Sequence, residues 1–308
     1  SFGSMQQLEK TVDTDSVAGS SDDNTPGQLE IVHLDTQVVR RDIGPLRIIA
    51  VGFNIPNSWV AIAASLSIAI AAGGTVSVIY GTLVSCAFYT CAAVTLAEQA
   101  SVYPTAGGQY HFASILAPKR FNRFIAYASG IISTLSWAAN GASVALMASQ
   151  LITAFPEYFK GYVPERWHLF LIYQALNVFA LIYNIVLFKR TNWIHDAAFI
   201  LTLSTFSVSV ITCLYRSEKQ SSTWVWTNFD ATTGWTPGVS FLTGLITLCY
   251  MYGGLDAALH LAEETLNPAS AVPRALMATV GIGFLTGSVF AVAMSYCITD
   301  LESLLGDA

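Results

Sequence analysis

The stretch GFNIPNSW at residues 52–59 decides the fold, because it interrupts an apolar run that is otherwise suited to crossing a membrane. Two amides, a hydroxyl and a helix-breaking proline stand where an unbroken apolar helix would be most stable in lipid. Every backbone group that such a break frees must find a partner in protein, ligand or water. The stretch therefore predicts either a binding site at an opened helix or a packed proline kink, and alone it does not separate the two.

Composition places the rest of the chain in a membrane as well. Of its 308 residues, 53% are hydrophobic and 11% are charged, whereas a soluble domain carries about 25% charged residues. A helix that crosses the roughly 30 Å of hydrocarbon needs about 20 largely uncharged residues. Taking charges and turn residues as boundaries, we predict an all-α membrane protein with seven spans, near 48–72, 76–98, 124–154, 168–188, 193–215, 238–262 and 275–298.

The opening residues differ from everything that follows. Residues 1–46 are rich in Ser, Asp, Thr, Gln and Gly and hold too little apolar material to form a core. We predict a disordered tail over 1–46 and a transmembrane domain over 47–308. The net charge of −6 arises largely from the tail and the loops, so it does not indicate a nucleic-acid partner.

Basic residues predict the orientation, since Lys and Arg in short loops stay on the cytoplasmic side. With the tail inside, nine basic residues are cytoplasmic and four are external. The cytoplasmic set is Arg40, Arg41, Arg47, Lys119, Arg120, Arg123, Lys189, Arg190 and Arg274, and the external set is Lys160, Arg166, Arg216 and Lys219. We therefore expect a cytoplasmic tail, an external loop at 217–237, and a connection along the membrane surface at 98–123.

A second apolar run is interrupted at residues 250–256, which read YMYGGLD. A carboxylate at that depth costs a few kcal/mol, so Asp256 should be protonated, paired or facing a wet cavity. The alternative is that Asp256 only bonds a neighbouring helix. The two interrupted spans are the first and the sixth, which occupy corresponding places in two five-helix inverted repeats. The pair of breaks therefore predicts one shared site.

Two other classes of protein fit less well. Heptahelical receptors keep the tail outside, and the sequence lacks an acidic-Arg-aromatic triplet at the third span and an Asn-Pro-x-x-Tyr motif in the last. An enzyme is not expected, because no nucleophile and base pair, metal-ligand spacing or phosphate-binding glycine loop occurs in the required context. We expect no metal and no cofactor.

Further motifs carry a family resemblance. PTAGGQY at 104–110 follows Glu98 and Ser101, the sixth span holds Gly-Gly-x-Asp, and EETLNPASAVPR follows at 263–274. Together these motifs resemble the amino acid-polyamine-organocation superfamily, and within it the fungal amino acid and choline transporter branch, which includes GABA and choline permeases. The resemblance implies a leucine-transporter-type inverted-repeat fold with ten core helices. The chain is then expected to be an N-terminal fragment with an incomplete second repeat.

The resemblance also implies the substrate-binding residues. They come from the first break, the third span and the second break, and they are Asn57, Ser58, Trp59, Asn140, Tyr250, Gly253, Gly254 and Asp256. Asn140 could instead bond a neighbouring helix, as amides in membranes often do. Aromatic side chains could form a cage for a substituted ammonium around Asp256, namely Trp59, Trp137, Tyr250 and Tyr252.

Proton coupling has two candidate residues, Asp256 and Glu263. Glu263 could instead lie at a solvated helix end facing Arg274. Some related carriers place a lysine in the fifth span, and residues 193–215 contain none. His195 is interpreted as an interfacial hydrogen-bonding residue, not a relay.

The sequence predicts a secondary active transporter, a proton-coupled symporter of a small amino acid or amine such as GABA, choline or a neutral amino acid. Its partners are that solute, protons and the lipid bilayer, and the resemblance favours the plasma membrane over the vacuole. The alternative is a truncated, non-transporting membrane protein that acts as a partner or regulator.

Overall fold

The computed structural model describes residues 43–186 and 193–299. In those residues, seven helical segments are long and apolar enough to cross a membrane, which confirms the predicted number of spans. The seven segments are Pro45–Ala71, Gly74–Val102, Asn122–Lys160, Arg166–Val186, Trp193–Arg216, Pro237–His260 and Pro268–Cys297.

Two of these segments are divided, and two short helices lie in the connections, so the described α-helices number eleven. In chain order they are α1 Pro45–Asn54, α2 Ser58–Ala71, α3 Gly74–Val102, α4 Gly108–Leu116, α5 Asn122–Lys160, α6 Arg166–Val186, α7 Trp193–Arg216, α8 Ser222–Thr227, α9 Pro237–Cys249, α10 Ala257–His260 and α11 Pro268–Cys297.

Some span boundaries differ from the prediction. The third span continues to Lys160, beyond the predicted end at 154, and carries Pro156 near its carboxyl end. The seventh begins at Pro268, not at 275, because a proline in the first turn of a helix loses no hydrogen bond. The connection 98–123 contains α4, which packs against α5.

Both predicted helix breaks are present. In the first span, α1 ends at Asn54 and α2 begins at Ser58, and Asn57 between them adopts the left-handed conformation at φ 40°. In the sixth span, α9 ends at Cys249 and is followed by a 3-10 turn, Tyr250–Tyr252. Gly254 then has φ +86°, and α10 resumes the span at Ala257.

The core lies where α11 packs against α1, α2 and α3, with α9 closing over α2 and α3. Small residues allow these helices to approach closely, as is typical in membranes. Gly283 and Gly287 of α11 lie against Ser58 and Met251, and Gly52 of α1 lies against Thr279. Many large apolar side chains of α5, α6 and α7 are instead exposed, as on a surface that faces lipid.

Long-range contacts define two ends of the bundle. At the first, here called the Ile43 end, the backbone of Ile43 pairs with Glu264 and Leu266 in a short parallel bridge to Thr265. At the other, the Trp226 end, Thr232 N–H donates to Ala71 O, and Trp226 Nε1 donates to the hydroxyl of Tyr296. The first set of contacts joins Ile43, before α1, to the residues after α10, and the second joins the connection between α7 and α9 to the end of α2 and to α11.

Some residues named in the predictions lie outside the ranges that the structure describes. Most of the predicted tail, residues 1–42, lies outside the described ranges, as do Lys189, Arg190 and residues 300–308. Residues 43–46, the last part of the predicted tail, include the Ile43 bridge and the start of α1.

Candidate functional site at the two helix breaks

The two breaks lie directly against each other. Ser58, the first residue of α2, donates from its hydroxyl to the backbone carbonyl of Met251 over 2.7 Å, and both residues are buried. The acceptor lies in the 3-10 turn of the sixth span, 193 residues further along the chain. The Ser58 hydroxyl therefore joins the first turn of α2, in the first span, to the 3-10 turn of the sixth span.

Gly254 lies where the breaks and α5 converge. A Cβ atom placed on it would come within 2.7 Å of Ile55 Cγ2, 3.4 Å of Trp137 and 3.8 Å of Asn140. Its positive φ also lies in the region that L side chains rarely adopt. Both observations explain why glycine occupies the position.

A first cavity of about 860 Å³ lies between α3, α5 and the break in the sixth span. Tyr89 and Trp137 contribute rings, Asn140 and Ser143 contribute polar groups, and Asp256 is the one charged side chain among its described lining residues. A pocket of this size and mixed lining suits a small molecule.

The Asp256 side chain is 14% exposed and is held from two sides. Trp137 Nε1 donates to Oδ2 over 3.4 Å, and Nε2 of His260 lies 3.5 Å from the same oxygen. The rings of Trp137 and His260 are 5.9 Å apart and nearly perpendicular. The carboxyl group is therefore positioned by α5 and α10 at the edge of the first cavity.

A second cavity of about 600 Å³ lies between the break in the first span and α5. Asn57 lines it, and the buried Oδ1 of Asn57 has no hydrogen-bond partner among the described residues. Asn140, Tyr250 and Gly253 line both this cavity and the first. The hydroxyl of Tyr250 lies 3.1 Å from Ser143 Oγ, so the boundary between the two cavities is polar.

A third cavity of about 400 Å³ opens toward the Ile43 end between α1, α7 and α10. Arg47, His195, His260 and Glu264 line it. Arg47 pairs with Asp196 of α7 over 2.9 Å, and Asn54 Nδ2 donates to the backbone carbonyl of His195 over 2.8 Å. The third cavity therefore has more charged and histidine side chains in its lining than the first or the second cavity.

The structure brings most of the predicted site residues together, but Trp59 lies apart from the cavities. Its ring packs between Phe206 and Phe290 at 6.0 and 5.5 Å, and its buried Nε1 has no partner in the described part of the chain. Of the expected aromatic cage, Trp137, Tyr250 and Tyr252 line the first cavity. Tyr252 also stacks on Tyr89 at 5.0 Å within the core.

Glu263 and His260 both contact the loop before α4. Glu263 Oε1 accepts from the backbone N–H of Ala106 over 3.2 Å, and His260 Nδ1 lies 2.9 Å from the carbonyl of the same residue. No role was predicted for His260 from the sequence. The signal available was its spacing of four residues from Asp256, which places both side chains on one face of a helical turn.

Seven spans, two meeting helix breaks and a solute-sized cavity beside a carboxyl group define a multi-pass integral membrane protein of the permease class. The chain belongs to the amino acid permease family, whose model matches residues 43–307. This agrees with the resemblance drawn from the motifs, and the family is one of permeases, not of enzymes.

Individual relatives are similar over most of the chain. A choline transporter of Saccharomyces cerevisiae is 31% identical over 271 residues, which cover 87% of this chain and 48% of the relative. A swainsonine transporter of Arthroderma benhamiae is 31% identical, with coverage of 87% and 53%. An amino-acid permease of Arabidopsis thaliana is 26% identical, with coverage of 91% and 57%.

The chain therefore spans about half the length of the curated relatives it matches. Among solved structures, none matches it significantly.

Proposed function

We propose that the protein is part of a secondary active transporter, a proton-coupled symporter that carries a small amino acid or amine across the plasma membrane. The observation that carries the proposal is the meeting of the two broken helices through Ser58 and Met251, beside a cavity with a carboxyl group. Discontinuous helices that meet inside a membrane are where secondary transporters bind their solutes.

The positive group of the solute is assigned to the first cavity. Asp256 supplies the opposing charge, and the rings of Trp137 and Tyr250 line the same space. A substituted ammonium over an aromatic face gains about 0.5 to 2 kcal/mol, more where water is excluded. This chemistry suits choline, the amino end of GABA or the ammonium of a neutral amino acid. The similarity to a choline transporter supports the same class of solute.

The other end of the solute is assigned to the second cavity. The amino terminus of α2 opens there beside Asn57, and the positive end of a helix dipole favours a carboxylate or hydroxyl oxygen. Asn57, Asn140, Tyr250 and Gly253 would bind the middle and far end of the solute. Ser58 would support the site indirectly, because its hydrogen bond holds the two breaks together. Trp59 would also act indirectly, by packing α2 against α7 and α11.

The test is uptake by the full-length protein in liposomes with an imposed pH gradient, using radiolabelled choline, GABA and alanine. Asp256→Asn removes the charge that faces the cavity, and Ser58→Trp places a large ring where Ser58 contacts Gly283 and Met251. Both variants should lose accumulation of the transported solute. Asp230→Asn, at an exposed residue of the Trp226 end, is the matched control and should transport normally.

Uptake by Asp256→Asn and Ser58→Trp at the level of the unsubstituted protein would overturn the assignment of the site. Failure of the unsubstituted protein to accumulate any of the three solutes, or other amines of that size, would overturn the proposed function itself.

A further inference from the structure

The contact between His260 and Ala106 fixes the position of one proton. Nδ1 of His260 lies 2.9 Å from the backbone carbonyl of Ala106. A carbonyl oxygen only accepts hydrogen bonds, so Nδ1 must carry a hydrogen and donate it. The tautomer of His260 follows from this partner.

With Nδ1 protonated, the other ring nitrogen determines how the side chain interacts with Asp256. A neutral ring presents a lone pair at Nε2, which lies 3.5 Å from Asp256 Oδ2. An ionised carboxylate has only lone pairs, so two acceptors would face each other. One additional proton removes this conflict, either on the ring as an imidazolium or on the carboxyl group as an O–H donor to Nε2. The pair therefore favours one bound proton, and with that proton on the ring the Asp256 carboxylate stays negative toward the first cavity.

The surroundings of the pair are polar and charged on the side of the Ile43 end. Trp137 Nε1 of α5 donates to Asp256 Oδ2. Arg47 of α1, His195 of α7 and Glu264 beyond α10 line the third cavity together with His260. Nε2 itself is buried, and the His260 side chain, which lines that cavity, is 35% exposed. A proton can thus reach the pair from one end of the bundle while Asp256 faces the first cavity.

Ala106 is the point at which the pair contacts the rest of the molecule. Its carbonyl faces His260 at the end of the sixth span, and its N–H donates to Glu263 in the turn that follows. Gly108, two residues on, lies against Leu259 and His260 and begins α4, which packs on α5. Movement of residues 104–107 would therefore displace the start of α4.

We propose that Asp256 and His260 together bind the coupling proton, and that this proton holds residues 104–107 against α10. When the proton leaves, the two facing acceptors repel, His260 turns away and the bond to Ala106 breaks. The pair thereby links the charge state beside the solute to the loop at the Ile43 end. This inference rests on the proposed proton-coupled transport, and it gives His260 a role in coupling and not in solute binding.

The test separates coupling from solute binding in the full-length protein in liposomes. With a gradient of about one pH unit, one coupled proton supports about tenfold accumulation. His260→Gln retains an N–H donor for Ala106 but cannot take up a proton. We expect gradient-driven accumulation to fall to the level without a gradient. Exchange of labelled for unlabelled solute at equal pH should stay within about twofold of the unsubstituted protein, since exchange needs no net proton movement.

His168→Gln is the matched control, because His168 lies in the first turn of α6, where its ring contacts the hydroxyl of Tyr162. It should leave accumulation and exchange unchanged. Gradient-driven accumulation by His260→Gln with an unchanged pH profile would overturn the proposal. Equal loss of exchange and accumulation in a folded His260→Gln protein would also overturn it, because His260 would then act on the solute or on the fold. Transport by the unsubstituted protein without any response to a pH gradient would overturn the coupling while leaving transport intact.

A second measurement does not depend on transport. When the pH is raised, amide hydrogen exchange in peptides covering residues 103–108 should accelerate. The acceleration should be larger than the intrinsic chemical exchange rate predicts, and this excess should vanish in His260→Gln. An equal pH response in the unsubstituted protein and in His260→Gln would overturn the proposal that the proton holds residues 104–107 against α10. If no solute is transported at all, the proposed function fails and this measurement still tests the proton site.

Discussion

Gly254 keeps the second helix break in its observed shape, and its replacement gives a prediction at the scale of one residue. Gly254→Ala places a Cβ atom within 2.7 Å of Ile55 and imposes a left-handed backbone on an L residue. The backbone term alone costs about 1–2 kcal/mol. We expect a lower melting temperature in detergent and loss of solute uptake by the full-length protein.

Gly141→Ala is the control for that substitution, since nothing lies within 4 Å of a Cβ atom at Gly141 on α5. In a helix interior, alanine is favoured over glycine by about 1 kcal/mol. The melting temperature of this variant should be unchanged or higher. Equal destabilisation by both substitutions would show that the crowding at Gly254 is not the cause.

The Ser58 hydroxyl is expected to contribute to stability as well as to the site. Ser58→Ala removes the donor to the buried Met251 carbonyl, and a buried acceptor without its partner costs about 1–3 kcal/mol. Thermal unfolding should report this loss. Ser207→Ala serves as the control, because the Ser207 hydroxyl bonds only to the Leu203 carbonyl in its own exposed helix. A similar small effect of both changes would contradict the role given to the Ser58 bond.

At the scale of elements, α1 is attached to α7 by three kinds of contact. Arg47 pairs with Asp196, Asn54 donates to the His195 carbonyl, and Phe53 meets Phe199 edge to face at 5.5 Å. The ion pair is the weakest, because its side chains are 32% and 42% exposed. Exposed pairs contribute about 0.2–1 kcal/mol.

Charge reversal tests that ion pair. Arg47→Asp should lower the melting temperature of the full-length protein slightly, because two carboxylates then face each other. Adding Asp196→Arg should restore most of the loss, since the pair is re-formed with its charges exchanged. A double variant whose destabilisation equals the sum of the two single changes would show that the charges do not interact.

The two helix breaks were predictable because their causes are local. Pro56 cannot continue a helix, and Gly253, Gly254 and Asp256 are unfavourable inside an apolar run. Contacts between distant residues were not predictable. The bond from Ser58 to Met251 joins positions 193 residues apart, and the contact of His260 with Ala106 joins positions 154 apart. Sequence spacing also could not reveal that Trp59 faces Phe206 and Phe290 and not the cavities, because that direction depends on how α2 is rotated within the bundle.

At the scale of the whole molecule, the bundle has two ends with different chemistry. The Ile43 end carries Arg47, Asp196 and the groups around the third cavity. The Trp226 end carries exposed Trp226 and Trp235 in the connection between α7 and α9. Aromatic belts of this kind mark the boundary between lipid and water. The contacts within each end determine which connections lie on the same side of the membrane. Labelling one position therefore shows on which side all the connections of that end lie.

The topology predicted from the sequence assigns nine Lys and Arg residues to the cytoplasmic side and four to the external side, which predicts that the Ile43 end is cytoplasmic. In a cysteine-free version of the full-length protein, Lys119→Cys and Thr223→Cys place one thiol at an exposed position of each end. A membrane-impermeant maleimide should label Thr223→Cys in intact cells, because the external solution reaches the Trp226 end. Lys119→Cys should react only after the cells are permeabilised. Each variant is the other's control for access and reactivity. The reverse pattern would invert the topology, and the proton site formed by Asp256 and His260 would then exchange with the external solution through the third cavity.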